Sequence, residues 1–134
     1  MGMTMAFTKV TPEELAWAER QDDDAIEEFL WAKEEVEEVS GYLDKAGRDL
    51  QELFDLAGLR VDLREDGEIM GDGIFSWSKK QVATTAEALR SMPFERLEPH
   101  LDAADEYVKN YYGTLVAFFE DAAASEAAAI MTYG

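Results

Sequence analysis

The hydrophobic and polar positions divide the chain into a short alternating segment, several helical stretches and a closing apolar run. Near the end, Leu101, Ala104, Val108, Tyr111, Leu115, Phe118 and Ala122 recur three or four apart, which lines one side of a long helix. From Leu115 the apolar surface widens to take in Val116, Phe119 and Ala123, so this half is expected to be covered on several sides. Gly113 sits inside the pattern at a cost of about 1 kcal/mol relative to Ala, which predicts a kink or a close backbone approach. After Ser125 and Glu126, the run Ala127–Tyr133 reads as a buried strand or as the helix end, with Ile130, Thr132 and Tyr133 favouring the strand.

At the other end, Met1 to Val10 alternates imperfectly, with Met3, Met5 and Phe7 on one side and Thr4, Thr8 and Val10 among those on the other, as a first strand would. Thr11 and Glu14 then form a capping box, with Pro12 at the first helical position, and a short helix runs to about Arg20. Asp22 caps the next helix. Over Ala25 to Val39 the helical period puts Ile26, Phe29, Leu30, Lys33 and Val36 on one face, with Glu27, Glu28, Glu34, Glu35 and Glu38 opposite and Trp31 pointing out among them. Glu34 and Glu38 repel at i,i+4, and acids in a last turn oppose the helix dipole. Each effect is worth a few tenths of a kcal/mol, so packing easily overrules them, but they show that this edge was not arranged for helix stability. It reads either as a charged, Trp-bearing contact surface or as a solvated face with a Trp resting on a neighbouring element.

Gly41 is expected to break that helix and Asp44 to begin another, with Ala46, Leu50, Leu53, Phe54 and Ala57 as its buried stripe and Gly58 as its terminator. Leu59 to Gly73 is turn-rich and predicts a small hairpin about Asp66-Gly67. Ser78 and Gln81 form a second capping box ahead of a helix carrying Val82, Ala86 and Leu89, which Pro93 stops.

An apolar content of 47% over 134 residues suffices for one real core. Cysteine is absent, which removes disulfides, thiolate metal sites and a cysteine nucleophile. No basic n-region precedes an apolar stretch, and none approaches the roughly 20 residues needed to span a bilayer, so a cytoplasmic protein is the expectation. Thirty acids against twelve bases give a charge of −18, which disfavours nucleic acid and anionic membrane as partners. Glu13 to Glu38 alone carries twelve acids against Arg20 and Lys33, so the acidity is concentrated enough to make one acidic face.

No catalytic or cofactor constellation emerges. The segment from Asp62 resembles a calcium loop at its first, fifth and sixth positions, but Arg64 and Gly73 stand where two ligands belong. His100 has no second imidazole, the serines show no nucleophile pattern, and Gly71-Asp72-Gly73 lacks the context of a phosphate loop. Trp77, Tyr107 and Tyr112 are candidate pocket residues, with ordinary core packing the competing reading.

The segments MGMTMAFTKV with TPEEL, YLDKAGRDLQELFDLAG, GIFSWSKKQVATTAEAL and YGTLVAFFEDAAASEAAAIMTYG, in that order and over nearly the whole chain, resemble the YfbM-like family of uncharacterised bacterial proteins. Members commonly carry Trp where Gly47 stands and often His where Gln51 stands, and the connection from Leu97 to Asp102 is shorter than usual. The resemblance implies one α+β domain over residues 1–134, mostly helical, with the N-terminal and C-terminal strands paired in a small sheet. It implies no established activity, although proteins of this kind lie near polymorphic toxin systems in some genomes, which makes an immunity-like role one expectation.

Two functional readings follow. The first is an interaction protein that presents Glu27, Glu28, Trp31, Glu34, Glu35 and Glu38 to a basic protein, the charge speeding encounter and Trp31 anchoring it. The second is a small-ligand binder or enzyme with a pocket between the Trp77 segment and the long helix, lined by carboxylates or tyrosines. No metal or cofactor is called for by either, and the sequence does not specify an oligomeric state.

Overall fold

The computed structural model describes residues 3–36, 39–100 and 106–134. Its outermost elements, β1 (Met5–Val10) and β5 (Ala128–Tyr133), pair antiparallel along their full length, from Met5 opposite Tyr133 to Val10 opposite Ala128. Between them in sequence come α1 (Pro12–Ala18), α2 (Asp23–Glu34), β2 (Gly41–Tyr42), α3 (Ala46–Ala57), β3 (Glu68–Gly71), β4 (Ile74–Trp77), α4 (Lys79–Arg90), α5 (Phe94–Leu97), a 3-10 turn and α6 (Glu106–Ala124). The strands form one antiparallel sheet in the order β2-β1-β5-β4-β3, so the architecture is α+β, mostly helical, with the two terminal strands inside a five-stranded sheet.

Strand alternation gives the sheet two unlike faces. On one, Met5 and Phe7 lie beside Met131, Phe75, Ala129 and Trp77, and α3, α4 and α6 pack over them. Phe7 meets Trp77 edge-on at 5.2 Å, and Phe119 packs at 5.1 Å from Phe7 and 5.5 Å from Trp77, geometries that suit ring quadrupoles. On the other face, Val10, Ala128, Ile130 and Ile74 are covered by Leu15 and Ala18 of α1 and by Ile26 and Leu30 of α2. Both capping boxes form as their sequences predict: the Glu14 N–H donates to Thr11 Oγ1 (3.0 Å) and the Gln81 N–H to Ser78 Oγ (3.1 Å).

Several expectations are corrected. The hairpin turns at Asp72-Gly73, not Asp66-Gly67: β3 and β4 flank Gly73, whose φ of 70° suits glycine, while Gly67 packs against the Trp77 indole. Gly41 does not end the helix, which stops at Glu34. It belongs to β2 and lies so close to β1 that a Cβ would collide with the Phe7 carbonyl oxygen and come within 2.8 Å of the Phe118 ring. Helix α2 stops at Glu34, ahead of the acid-rich turn that opposes its dipole, and Val36 is 74% exposed rather than buried. Asp44 does not cap a helix. It adopts φ 51°, and α3 begins after Lys45 without a side-chain cap. In α6, Tyr112 takes the buried position and Tyr111 only a partly buried one. Open space surrounds Gly113, and α6 continues through it, so no close backbone approach explains it. Leu101 and Ala104 lie outside the described residues.

The two departures from the family pattern have visible consequences. A Cβ at Gly47 would sit 3.0–3.1 Å from the Met5 side chain, so a bulky residue there requires Met5 to move. The Gln51 amide accepts from the Leu63 N–H (2.7 Å) and donates to the Val61 carbonyl (3.0 Å), fastening the segment after α3 to the helix.

Candidate functional site

Helix α2 starts on Asp22, which accepts from the Ala25 N–H (2.8 Å), and Asp23 accepts from the Asp72 N–H (3.2 Å), tying the helix to the β3–β4 turn. With Ile26 and Leu30 buried against the sheet, the helical period turns Glu27, Glu28 and Trp31 outward. Trp31 is 72% exposed and Glu34 exposed beside it. Lys33 is drawn back to the Glu14 carboxylate of α1 (3.0 Å), so the one cation in this helix faces away from the acidic surface. Glu14 is partly buried, which pushes its pKa up, but the hydrogen bonds from Thr11 and the Lys33 ammonium outweigh this and hold it below the usual carboxylate value.

Between α2 and the β2 edge of the sheet runs a groove of about 310 Å³. Glu27, Leu30, Trp31 and Glu34 form its helical wall, and Thr8, Tyr42 and Thr132 line the sheet side. Tyr42 is 44% exposed. Its hydroxyl donates to Asp44 Oδ1 (3.3 Å) while the Tyr107 hydroxyl donates to Asp44 Oδ2 (3.1 Å), so the positive φ of Asp44 places a carboxylate that two phenols share. Desolvation first, and then the Asp44 charge, raise the Tyr42 pKa; desolvation and Asp44 also raise that of Tyr107. The sequence-predicted residues Glu27, Trp31 and Glu34 thus come together at one groove. Glu28 is exposed on the same helix outside it, Glu35 caps the helix C-terminus, and Glu38 lies outside the described residues. Sequence reasoning missed Tyr42, because a two-residue edge strand leaves no periodic signal.

Trp77, Tyr107 and Tyr112 do not share a pocket. Trp77 is fully buried among Phe7 and Phe119, and its indole N–H has no hydrogen-bond partner among the described residues. Tyr112 packs on Phe54 and Phe94 and donates its hydroxyl to the Met92 carbonyl, with burial pushing its pKa up to about 12. Tyr107 is 40% exposed and meets Tyr111 edge-on. The interface expected to hold a cavity is packed with rings.

A larger cleft, about 590 Å³, opens at the β3 end of the same thinly covered sheet face. Leu15 and Glu19 of α1 face the start of α4 across it, and Ser76 forms part of its wall. Among the described residues, no group of three or more His, Asp or Glu side chains is placed to hold a metal ion, and no helix is long and apolar enough to cross a membrane.

This is therefore an α+β protein with a ring-packed face and a grooved face. A family model described as a domain of unknown function (DUF1877) matches residues 1–132, and the chain belongs to that family, the YfbM-like proteins. No curated protein and no solved structure matches it.

Proposed function

We propose that the protein is an acidic interaction module that binds a basic protein partner in the groove between α2 and β2. The observation that supports this reading is the exposure of Trp31, 72%, at the rim of a groove that also holds Tyr42 and the carboxylates of Glu27 and Glu34. A large aromatic side chain in water contributes little to folding, whereas Trp and Tyr are favoured anchors of protein interfaces. An arginine or lysine entering the groove meets aromatic faces for cation–π contact and carboxylates for ion pairing. The net charge of −18 steers a cationic partner from a distance and repels nucleic acid. In the bacterial cytoplasm, the compartment we propose, such a module suits an immunity-like inhibitor that covers the basic surface of a toxin or nuclease. No reaction is assigned to it.

Capture of cationic partners from native lysate, repeated with Trp31→Ala combined with charge reversal at Glu34 and Glu35, tests the reading. Partner retention is expected to fall at least tenfold, and binding by the parent protein to weaken as salt rises. Unchanged retention by the triple variant would remove this face from consideration.

A further inference from the structure

The Trp77 indole N–H is a buried donor without a hydrogen-bond partner among the described residues, on a ring that Phe7 and Phe119 otherwise pack fully. A buried donor left unpaired is a cost that the folded chain carries. What covers that edge of the ring is Gly67. A Cβ there would collide with the indole Nε1 and come within 2.7 Å of Cδ1, so the backbone of residue 67 lies on the donor without offering it an acceptor. The two neighbours of Gly67 in the chain, Asp66 and Glu68, line the cleft of about 590 Å³, as do Ser76 and Gln81. Gly67 thus lies between the cleft wall and the indole.

The segment that leads to Gly67 is closed on itself and tied to the rest at few points. The Asp62 carboxylate accepts from the N–H groups of Arg64 (3.0 Å) and Glu65 (2.9 Å), the Asp62 carbonyl from the Asp66 N–H (3.0 Å), and the Asp66 carboxylate from the Asp62 N–H (3.0 Å). Leu63 is fully buried and anchors the start, but Arg64, Glu65 and Asp66 are exposed. These three meet the body of the protein where Arg64 lies 5.3 Å over the Tyr133 ring and where the Gln81 amide donates to the Asp66 carbonyl (2.6 Å). On the far side of Gly67, the Ser76 hydroxyl reaches the Glu68 carbonyl only at 3.4 Å, and the β3 register shifts after Ile69.

We propose that Asp66-Gly67 is a strap that swings off the Trp77 indole, with the Gln81–Asp66 hydrogen bond as its latch, and that opening extends the cleft to the indole N–H. Closed, the strap leaves a donor unpaired; open, solvent in the cleft satisfies that donor, which offsets the loss of the latch. Gln81 and Asp66 both line the cleft, so the latch is reached from there. Gln81 also serves the capping box of α4, its Oε1 accepting from the Ser78 N–H (2.7 Å). A glutamate at this position keeps the cap and loses the amide that holds the strap.

Hydrogen exchange of the indole N–H, followed by NMR on the 15N-labelled full chain, tests the proposal. Trp17→Phe and Trp31→Phe assign the signals of the three tryptophans. In the parent, the Trp77 indole is expected to exchange roughly a hundredfold or more faster than the amide of Ile130, which sits opposite Thr8 in the middle of the sheet. Gln81→Glu is expected to accelerate the indole about tenfold further while leaving the Ile130 amide unchanged. A purely structural Gln81 would not separate the two sites. An indole as protected as Ile130 in the parent, no acceleration in Gln81→Glu, or equal acceleration of both sites overturns the proposal. None of these results bears on the α2 groove.

Discussion

The two faces of the sheet are built to different standards. Over one, three helices press Phe118, Phe119, Phe54 and Tyr112 into a continuous cluster with Phe7 and Trp77. Over the other, a helix of 7 residues and one of 12 cover the sheet with Leu15, Ala18, Ile26 and Leu30, and α2 reaches the β3–β4 turn through Asp23. Each of the two clefts described above draws part of its lining from the thinly covered face, through Thr8 and Thr132 at one edge and Ser76 at the other. The contrast teaches that this fold draws its stability mainly from one layer and leaves the other free to present surface. The exposed Trp31 is tolerated there because little of the core depends on it.

Truncating Phe119 tests the contrast most severely. Phe119→Ala is expected to cost about 4 kcal/mol in denaturant unfolding and Leu30→Ala, at the margin of the thin layer, about 2 kcal/mol. The reverse order would break the comparison. A smaller effect is expected from Tyr112→Phe, about 1 kcal/mol, because the Met92 carbonyl loses its donor. Burial raises the folded-state pKa of Tyr112 from 10.0 to about 12, so its contribution is whole below the unfolded value of 10.0 and is lost as pH rises toward 12. The parent protein should therefore show an alkaline decline in stability that the phenylalanine variant lacks. The smallest effect belongs to the thin layer. Glu14 has a folded pKa below its ordinary value of 4.5, so its contribution is present above 4.5 and lost as pH falls through the lower folded value. The carboxylate is partly solvated, which keeps the difference slight. Comparing Glu14→Gln with the parent at neutral and acid pH should show the gap between them narrowing as acid is added.

Features governed by neighbouring residues were legible before any coordinates. Thr11 with Glu14, Ser78 with Gln81, Asp22 and Gly58 act where their sequence places them, because a cap is decided within one helical turn. The strand at Ala128–Tyr133 was legible from its β-branched and aromatic end. Features fixed by distant partners were not. Gly41 is small because Phe7 and Phe118 leave no room, and Asp44 bends backward to meet two phenols. A hairpin in the turn-rich segment was expected, but its turn was misplaced at Asp66-Gly67 because β3 is only four residues long and its register shifts between Ile69 and Gly71. Of the candidate site, the helical carboxylates and Trp31 followed from periodicity, whereas the opposite wall at Tyr42 depends on a strand too short to announce itself.

The pairing of β1 with β5 constrains how the molecule comes into being. During synthesis β1 emerges before the other elements of this domain, and the strand that lies along it only after them. Until then its open hydrogen-bonding edge and the side chains of Met5 and Phe7 must be kept from other chains, and closing so long a loop is slow. Assembly of the sheet is thus a late event, and a nascent chain interrupted before residue 128 lacks the strand that joins the two halves of the sheet.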